Sequence, residues 1–274
     1  MFADTAYTTL IVDLPRPHVA RITLNRERRM NAYNWRMTQE LQTAIADYRD
    51  DDELRALIVT GAGTRAFCTG GDVSGEGGEP DHRERVRTQP MGHGREMRDG
   101  MQRPLALLRS IDKPTVAMIR GYAVAGGLAL ALACDFRLAD SSARLGDTSG
   151  KFGLLPDEGG AWLFPRIMGY DRALRMTLLH EVYDAPTALQ LGLLTELVED
   201  DLEARTLAFC EALAAQAPLA VRMAKTMMQR AAESTFESSL VDAQLAVMIT
   251  NPSQDVREGG AAFREKRAPK FQGK

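Results

Sequence analysis

A chain of 274 residues with 45% apolar and 26% charged content is long enough for one large domain with an ordinary buried core. Its formal charge of −3 gives no electrostatic footprint for nucleic acid or an anionic membrane surface. Cys68, Cys134 and Cys210 are odd in number, widely spaced and without CxxC pairing, which argues for reduced thiols in a cytoplasmic protein and against zinc.

The start, MFADTAYTTLIVDLP, carries an early acid and no basic stretch before an apolar one, so no secretion signal is expected. TTLIVDL and HVARITLN alternate and are rich in β-branched residues, which predicts a hairpin closed at PRP. NWRMTQELQTAIADYRDD places Met37, Leu41, Ile45 and Tyr48 at helical spacing. LRALIVTGAG reads as a buried strand, followed by RAFCTGGD and a Gly-rich, charged loop from Val73 to about Gly94. Helix is expected again over about Arg95–Ser110, then a buried strand at KPTVAMIRG. GYAVAGGLALALACDF follows as a turn and a helix, and its longest uncharged run, Tyr122 to Cys134, falls short of the roughly 20 residues of a membrane span. FRLAD and ARLG are short strands. After about Asp201 the pattern becomes helix upon helix, dividing the chain into a strand-and-helix core (1–200) and a helical region (201–274).

Two places share one design, an apolar strand running into glycines: Ile58–Val59 into Gly70-Gly71-Asp72, and Val116–Ile119 into Gly126-Gly127. Backbone N–H groups at such turns can converge on an anion or a developing oxyanion, and a helix starting there adds its positive end. The same glycines could equally serve only tight packing, and their spacing leaves both readings open.

NRERRMNAYN, AFCTGGDV, KPTVAMIRGYAVAGGLALALACDFRLAD, KFGLLPDEGGAWLFPRIMG and GGAAFREKRAPKF occur in that order, from about residue 8 to 271. This series resembles the crotonase superfamily, the enoyl-CoA hydratase/isomerase family. The resemblance implies an α/β fold, a crotonase (ClpP-like) spiral of repeated β-β-α units with a C-terminal helical trimerisation region, assembled as a homotrimer or dimer of trimers. It implies acyl-CoA thioester chemistry, with coenzyme A arriving as part of the substrate and no prosthetic group. The thioester oxygen would accept hydrogen bonds from the N–H groups of Gly71 and Gly126. For CoA it points to Arg28, Arg29 and Met30 beside adenine and phosphates, to Thr69 and Val73 along the pantetheine and thioester, and to Phe263 and Lys266 reaching over, often from a neighbouring subunit.

Family hydratases carry two glutamates whose positions fall here on Ala129 and Ser149, neither able to move a proton as a carboxylate would. Hydration by two glutamates is therefore not expected, and isomerase-like chemistry through Asp157 is favoured. Asp157 has two readings, base or nucleophile on one side and N-cap of the next helix on the other. Hydrolysis or displacement by an Asp157 nucleophile, or silent acyl-CoA binding, are the alternatives. Glu158 is read on the first turn of that helix. His82 and His93 fall in the loop over the acyl pocket as lesser candidates. His18, His180, Asp135, Tyr122, Trp162 and Cys68 are read as structural. No His/Cys/carboxylate cluster has metal-ligand spacing.

Overall fold

The computed structural model describes residues 2–74, 84 and 86–274. The N-terminal alternation produces the hairpin it should: β1 (Leu10–Arg16) and β2 (Val19–Leu24) pair antiparallel with Leu10 opposite Leu24. The reversal is tighter than PRP suggests, since β1 runs through Arg16 and the turn is Pro17-His18, with His18 at φ 63°. Helix α1 (Trp35–Asp50) starts at Asn34, whose side chain accepts the Met37 N–H, and it buries Met37, Leu41, Ile45 and Tyr48 as spaced.

From there the chain winds as a spiral. β3 (Ala56–Gly61) and β4 (Ala66–Cys68), β5 (Thr115–Ile119) and β6 (Tyr122–Val124), and β7 (Phe136–Ala139) and β8 (Arg144–Gly146) are consecutive pairs. In each pair the first strand enters a six-stranded sheet and the second a four-stranded one. With β9 (Val182–Asp184) and β10 (Glu196–Leu197) the orders are β1-β2-β3-β5-β7-β10 and β4-β6-β8-β9. Neighbouring strands from β2 to β3, β5, β7 and β10 are parallel, which requires a crossover between each. The main core lies inside the spiral, where α1 and α4 (Gly126–Ala133) meet the strands. All eight residues of α4 are buried, as expected of a helix apolar on every side.

Three expectations are corrected. The helix over Arg95–Ser110 is broken into α2 (Gly92–Met97), a wide turn at Arg98–Gln102 and α3 (Arg103–Ser110). Gly100 sits at φ −86°, ψ −116° and Pro104 opens α3. The loop expected up to Gly94 is helical at Glu84, at 86–88 and again from Gly92, while residues 75–83 and 85, including His82, lie outside the described residues. The helix expected to begin directly after Asp157 begins instead at Gly160, as α5 (Gly160–Met168) with Gly159 as its N-cap.

Beyond α6 (Tyr170–Leu179) and α7 (Ala185–Gln190), four helices close the chain: α8 (Leu202–Ala214), α9 (Pro218–Ala231), α10 (Phe236–Thr250) and α11 (Gln254–Glu265). α8 covers the outer face of the large sheet, burying Leu207 and Cys210 against Ile58, Val116 and Leu138. Leu207 and Leu213 therefore belong to the protomer's own packing and are not free faces. No single helix among the described residues is long and apolar enough to cross a membrane.

Candidate active site

The two glycine turns meet. A Cβ on Gly70 would lie 3.0 Å from the Ala125 Cβ and 3.2 Å from the Gly126 nitrogen, so the turn after β4 rests on the start of α4. Gly127 is required by this approach, because a Cβ there would collide with the Cys68 carbonyl. Ala125, the N-cap of α4, is held at φ 52°, ψ −129°, a sparsely populated conformation for a residue with a side chain. Its N–H donates to the Gly146 carbonyl at 3.1 Å, tying the same turn to β8. Among the described residues neither the Gly71 nor the Gly126 amide donates to a carbonyl of the surrounding turns and loops.

Tyr33 joins these parts. Its backbone bridges Gly71: the Tyr33 N–H donates to the Gly70 carbonyl and the Asp72 N–H to the Tyr33 carbonyl, both at 2.9 Å. The turn is anchored again by the 2.7 Å Arg26–Asp72 ion pair, and Asp72 in turn accepts from Ser74. The Tyr33 hydroxyl donates to Oε1 of Glu158. A Cβ on Gly126 would overlap both that oxygen and the Tyr33 hydroxyl, so the carboxyl sits directly over the first residue of α4.

Glu158 is 8% exposed, and its Oε2 is buried without a hydrogen-bond partner among the described residues. Burial pushes its carboxyl up to about 7; the Tyr33 hydrogen bond works against the rise and the neighbouring Asp157 carboxyl adds to it. Burial holds the Tyr33 phenol well above its usual value, with the Glu158 charge adding to the effect. Asp157 is exposed. Gln102 donates to its backbone carbonyl at 2.7 Å, and its side chain does not cap α5, so the N-cap reading is set aside.

Both carboxyls line a cleft of about 470 Å³ between α3 and the start of α5, with Leu105, Arg109, Trp162 and Leu163. Trp162 is held by two guanidiniums, Arg109 at 4.2 Å and Arg166 at 3.8 Å from the ring centre. Ala129 is fully buried in α4 and Ser149 is 6% exposed; neither lines the cleft. Asp147 is buried too, one oxygen accepting the Ser149 N–H. Cys68 stays an inert thiol, pushed up to about 12 by burial. His93 is exposed beside Glu96, and Asp135 ties Thr115 to Lys225.

Of the residues expected around CoA, Met30 and Thr69 come together through a 3.3 Å hydrogen bond from the Thr69 hydroxyl to the Met30 carbonyl. Arg28 and Arg29 lie exposed on a single 3-10 turn just before them, and Val73 is 61% exposed just past Asp72. Phe263 is 86% exposed and Lys266 ends α11 in a left-handed conformation; neither lines this chain's own cleft.

The sequence reading missed the Tyr33–Glu158 pair. A signal was present in GLLPDEGGAW, where an acid stands in an apolar run between a proline and two glycines.

The sequence matches the family described as Enoyl-CoA hydratase/isomerase over residues 16–274. It is 35% identical over 265 residues to the mouse (Mus musculus) mitochondrial enoyl-CoA hydratase domain-containing protein 2, covering 95% of this chain and 86% of that one. It is 34% identical over 257 residues to the (E)-benzylidenesuccinyl-CoA hydratase of Thauera aromatica, covering 93% and 96%. The crystal structure of an enoyl-CoA hydratase from Bacillus anthracis superposes with a TM-score of 0.89 at 31% identity, covering 97% of this chain and all of that one. With its spiral of paired strands and its match over nearly the whole length, this chain belongs to the enoyl-CoA hydratase/isomerase family of the crotonase superfamily.

Proposed function

We propose that this chain catalyses enolate chemistry on an acyl-CoA, moving a double bond within the acyl group rather than adding water across it. The thioester carbonyl sits on the N–H groups of Gly71 and Gly126, and Arg28, Arg29, Met30, Thr69 and Val73 border the CoA. Removing an α-proton builds charge on that carbonyl oxygen, and two fixed donors stabilise it by roughly 3 kcal/mol each. The observation that carries the reading is where the carboxyls stand. Asp157 and Glu158 line the cleft, whereas positions 129 and 149 hold alanine and serine. Relatives named as hydratases make hydration the natural comparison, but that addition needs an acid and a base placed on water and alkene.

Gly71 adds support of another kind. A Cβ there would be 3.7 Å from the Tyr33 ring, in ordinary contact, so among the described residues no close approach demands glycine at that position. An acyl group passing close to the backbone would.

A second reading keeps Asp157 as a nucleophile for hydrolysis or displacement, favoured by its exposure at the cleft and by its freedom from capping. Incubation with 2-enoyl- and 3-enoyl-CoA substrates in D₂O, followed by mass spectrometry, separates the possibilities. Deuterium at the α- and γ-carbons without gain of water is the expected result. Robust hydration of crotonyl-CoA overturns the reading, an acyl-aspartyl adduct supports the second one, and binding without any turnover leaves a silent acyl-CoA-binding protein.

A further inference from the structure

We propose that Glu158, oriented by the Tyr33 hydroxyl, is the base that takes the α-proton of the thioester. The proposal rests on the enolate reading above and assigns its proton carrier to the buried carboxyl instead of the exposed Asp157.

The first argument is position. The Glu158 carboxyl lies directly over Gly126, close enough that a Cβ there would overlap its Oε1. If the Gly126 amide binds the carbonyl oxygen, the α-carbon is only two bonds from that oxygen. A general base must come within hydrogen-bonding reach of the proton it removes, and this carboxyl starts beside the right group.

The second argument is pairing. Oε1 accepts the Tyr33 hydroxyl while Oε2, buried, has no hydrogen-bond donor among the described residues, and the Asp157 carboxyl stands beside the group. Buried polar atoms without partners are uncommon in folded proteins, and each calls for an explanation. Here one oxygen is fixed and the other keeps its lone pairs for a proton. Glu158 lines the cleft, so the carboxyl with the unused oxygen forms part of the wall that a substrate meets, although Oε2 itself is closed to solvent in the free chain.

The third argument is that Tyr33 serves all parts of the site at once. Its backbone is stitched to Gly70 and Asp72 on either side of Gly71, and its hydroxyl holds the carboxyl over Gly126. The two amides and the base are therefore kept in register by one residue. Tyr33 is a positioning residue, and its phenol, held well above its usual value by burial, stays a donor throughout the neutral range.

The step balances with a single carboxyl. Glu158 takes the proton from the α-carbon of a 3-enoyl thioester, and the C–H electron pair moves into the carbonyl, whose oxygen becomes the dienolate oxygen between the two amides. The carboxylic acid then returns the proton to the γ-carbon. The double bond comes to rest between the α- and β-carbons and the carbonyl is restored. No water, oxidant or leaving group takes part.

The titratable and charged groups around Glu158 are Tyr33, Asp157, Cys68 and, in the same cleft, Arg109. Tyr33 and Cys68 are neutral at neutral pH, so the Asp157→Asn variant isolates the remaining carboxyl.

The test uses the full chain with 3-hexenoyl-CoA for isomerisation and butyryl-CoA for α-proton exchange in D₂O. Glu158→Gln is expected to lose about 10²–10⁴-fold in both while still binding the thioester. Asp157→Asn is expected to keep the exchange but move its midpoint downward, because the neighbouring carboxyl that helps raise Glu158 is gone. In the wild type the rate should rise with a midpoint near pH 7, and Tyr33→Phe should move that midpoint upward, because the lost hydrogen bond had favoured the carboxylate. A tyrosine that only fills space would leave the midpoint unmoved. If Glu158→Gln does not fold, the Tyr33→Phe midpoint and the Asp157→Asn rate still decide. Wild-type exchange that survives Glu158→Gln, disappears with Asp157→Asn or keeps its midpoint in Tyr33→Phe overturns the assignment alone. No exchange by the wild type on either thioester overturns the enolate reading itself.

Discussion

Glu158 carries its site's chemistry into the stability of the whole chain. Its carboxyl stands at about 7 when folded against a usual value of 4.5, so between those two the folded chain holds a proton that the unfolded chain has lost. That contribution is fully present below about pH 4.5 and disappears as pH rises through 7. Glu158→Gln keeps the shape without the charge. Its unfolding free energy in denaturant melts should gain on wild type from pH 5 to pH 9, approaching a difference on the order of 3 kcal/mol. A gap that stays constant across that range would show that the carboxyl is not raised. The glycines divide in a similar way. Gly126→Ala would press a methyl into the Glu158 carboxyl and Tyr33 hydroxyl, and about 1–3 kcal/mol of overpacking is expected in denaturant melts. For Gly71→Ala the nearest atoms among the described residues are those of the Tyr33 side chain at 3.7 Å, and the variant should melt with wild type. Some of this was legible in the sequence and some was not. The glycine pairs and the acids after Pro156 stand out in the chain. Whether a helix starts at Glu158 or Gly160 is a matter of a few dihedral angles across Gly159-Gly160, beyond what composition resolves. That a tyrosine 125 residues away donates to Glu158 is purely tertiary.

Elements with long periodic patterns announced themselves, and of the short strands FRLAD and ARLG, β7 and β8, were also legible. β1, β2, β3 and β5 have five to seven residues and α1 has sixteen, enough for period 2 or 3.6 to repeat. β4 and β6 have three residues and β10 two, too few for any period, and they are strands because the spiral lays each beside the previous turn. The break at Gly100 was hidden for the opposite reason, since the apolar spacing continues across it. The best-specified element also positions the site. α1 begins two residues after its nearest site neighbour, Tyr33, with the Asn34 side chain accepting the Met37 N–H at 3.0 Å. At the other end Lys113 donates to the Tyr48 and Asp51 carbonyls, satisfying acceptors that the last helical turn leaves open. Asn34→Ala should cost about 1 kcal/mol by thermal denaturation, and Asn34→Ser or Asn34→Asp should recover most of it. Equal losses for all three would mean that the cap is not what starts the helix.

Across the whole molecule, large apolar side chains are exposed mainly in two groups, one over 152–179 and one on the C-terminal helices. α10 exposes Phe236, Leu240, Val241, Leu245, Val247, Met248 and Ile249, and Ala246 is its buried residue. Met228, 76% exposed on α9, extends the face, and the 2.9 Å Arg230–Asp242 ion pair links the two helices. A helix apolar on every side is stable in water when something covers it. Periodicity marks an apolar stripe without saying what lies against it: α8 spends Leu207 and Leu213 on the large sheet, while Met228 on α9 stays exposed. A second and third copy of this chain are the expected cover, giving a trimer or a pair of trimers. Light scattering at micromolar concentration should return three or six protomer masses, and Leu245→Glu with Met248→Glu should return one. A wild-type monomer would refute this. The assembly has a consequence for binding that can be measured separately. Phe263 is 86% exposed and, with Lys266, stands away from this chain's own cleft, which leaves it available to a neighbour's CoA. The monomeric variant should therefore show a raised KM for acyl-CoA, and Phe263→Ala should raise KM while the trimer stays intact. A KM that follows neither change would confine the CoA contacts to a single protomer.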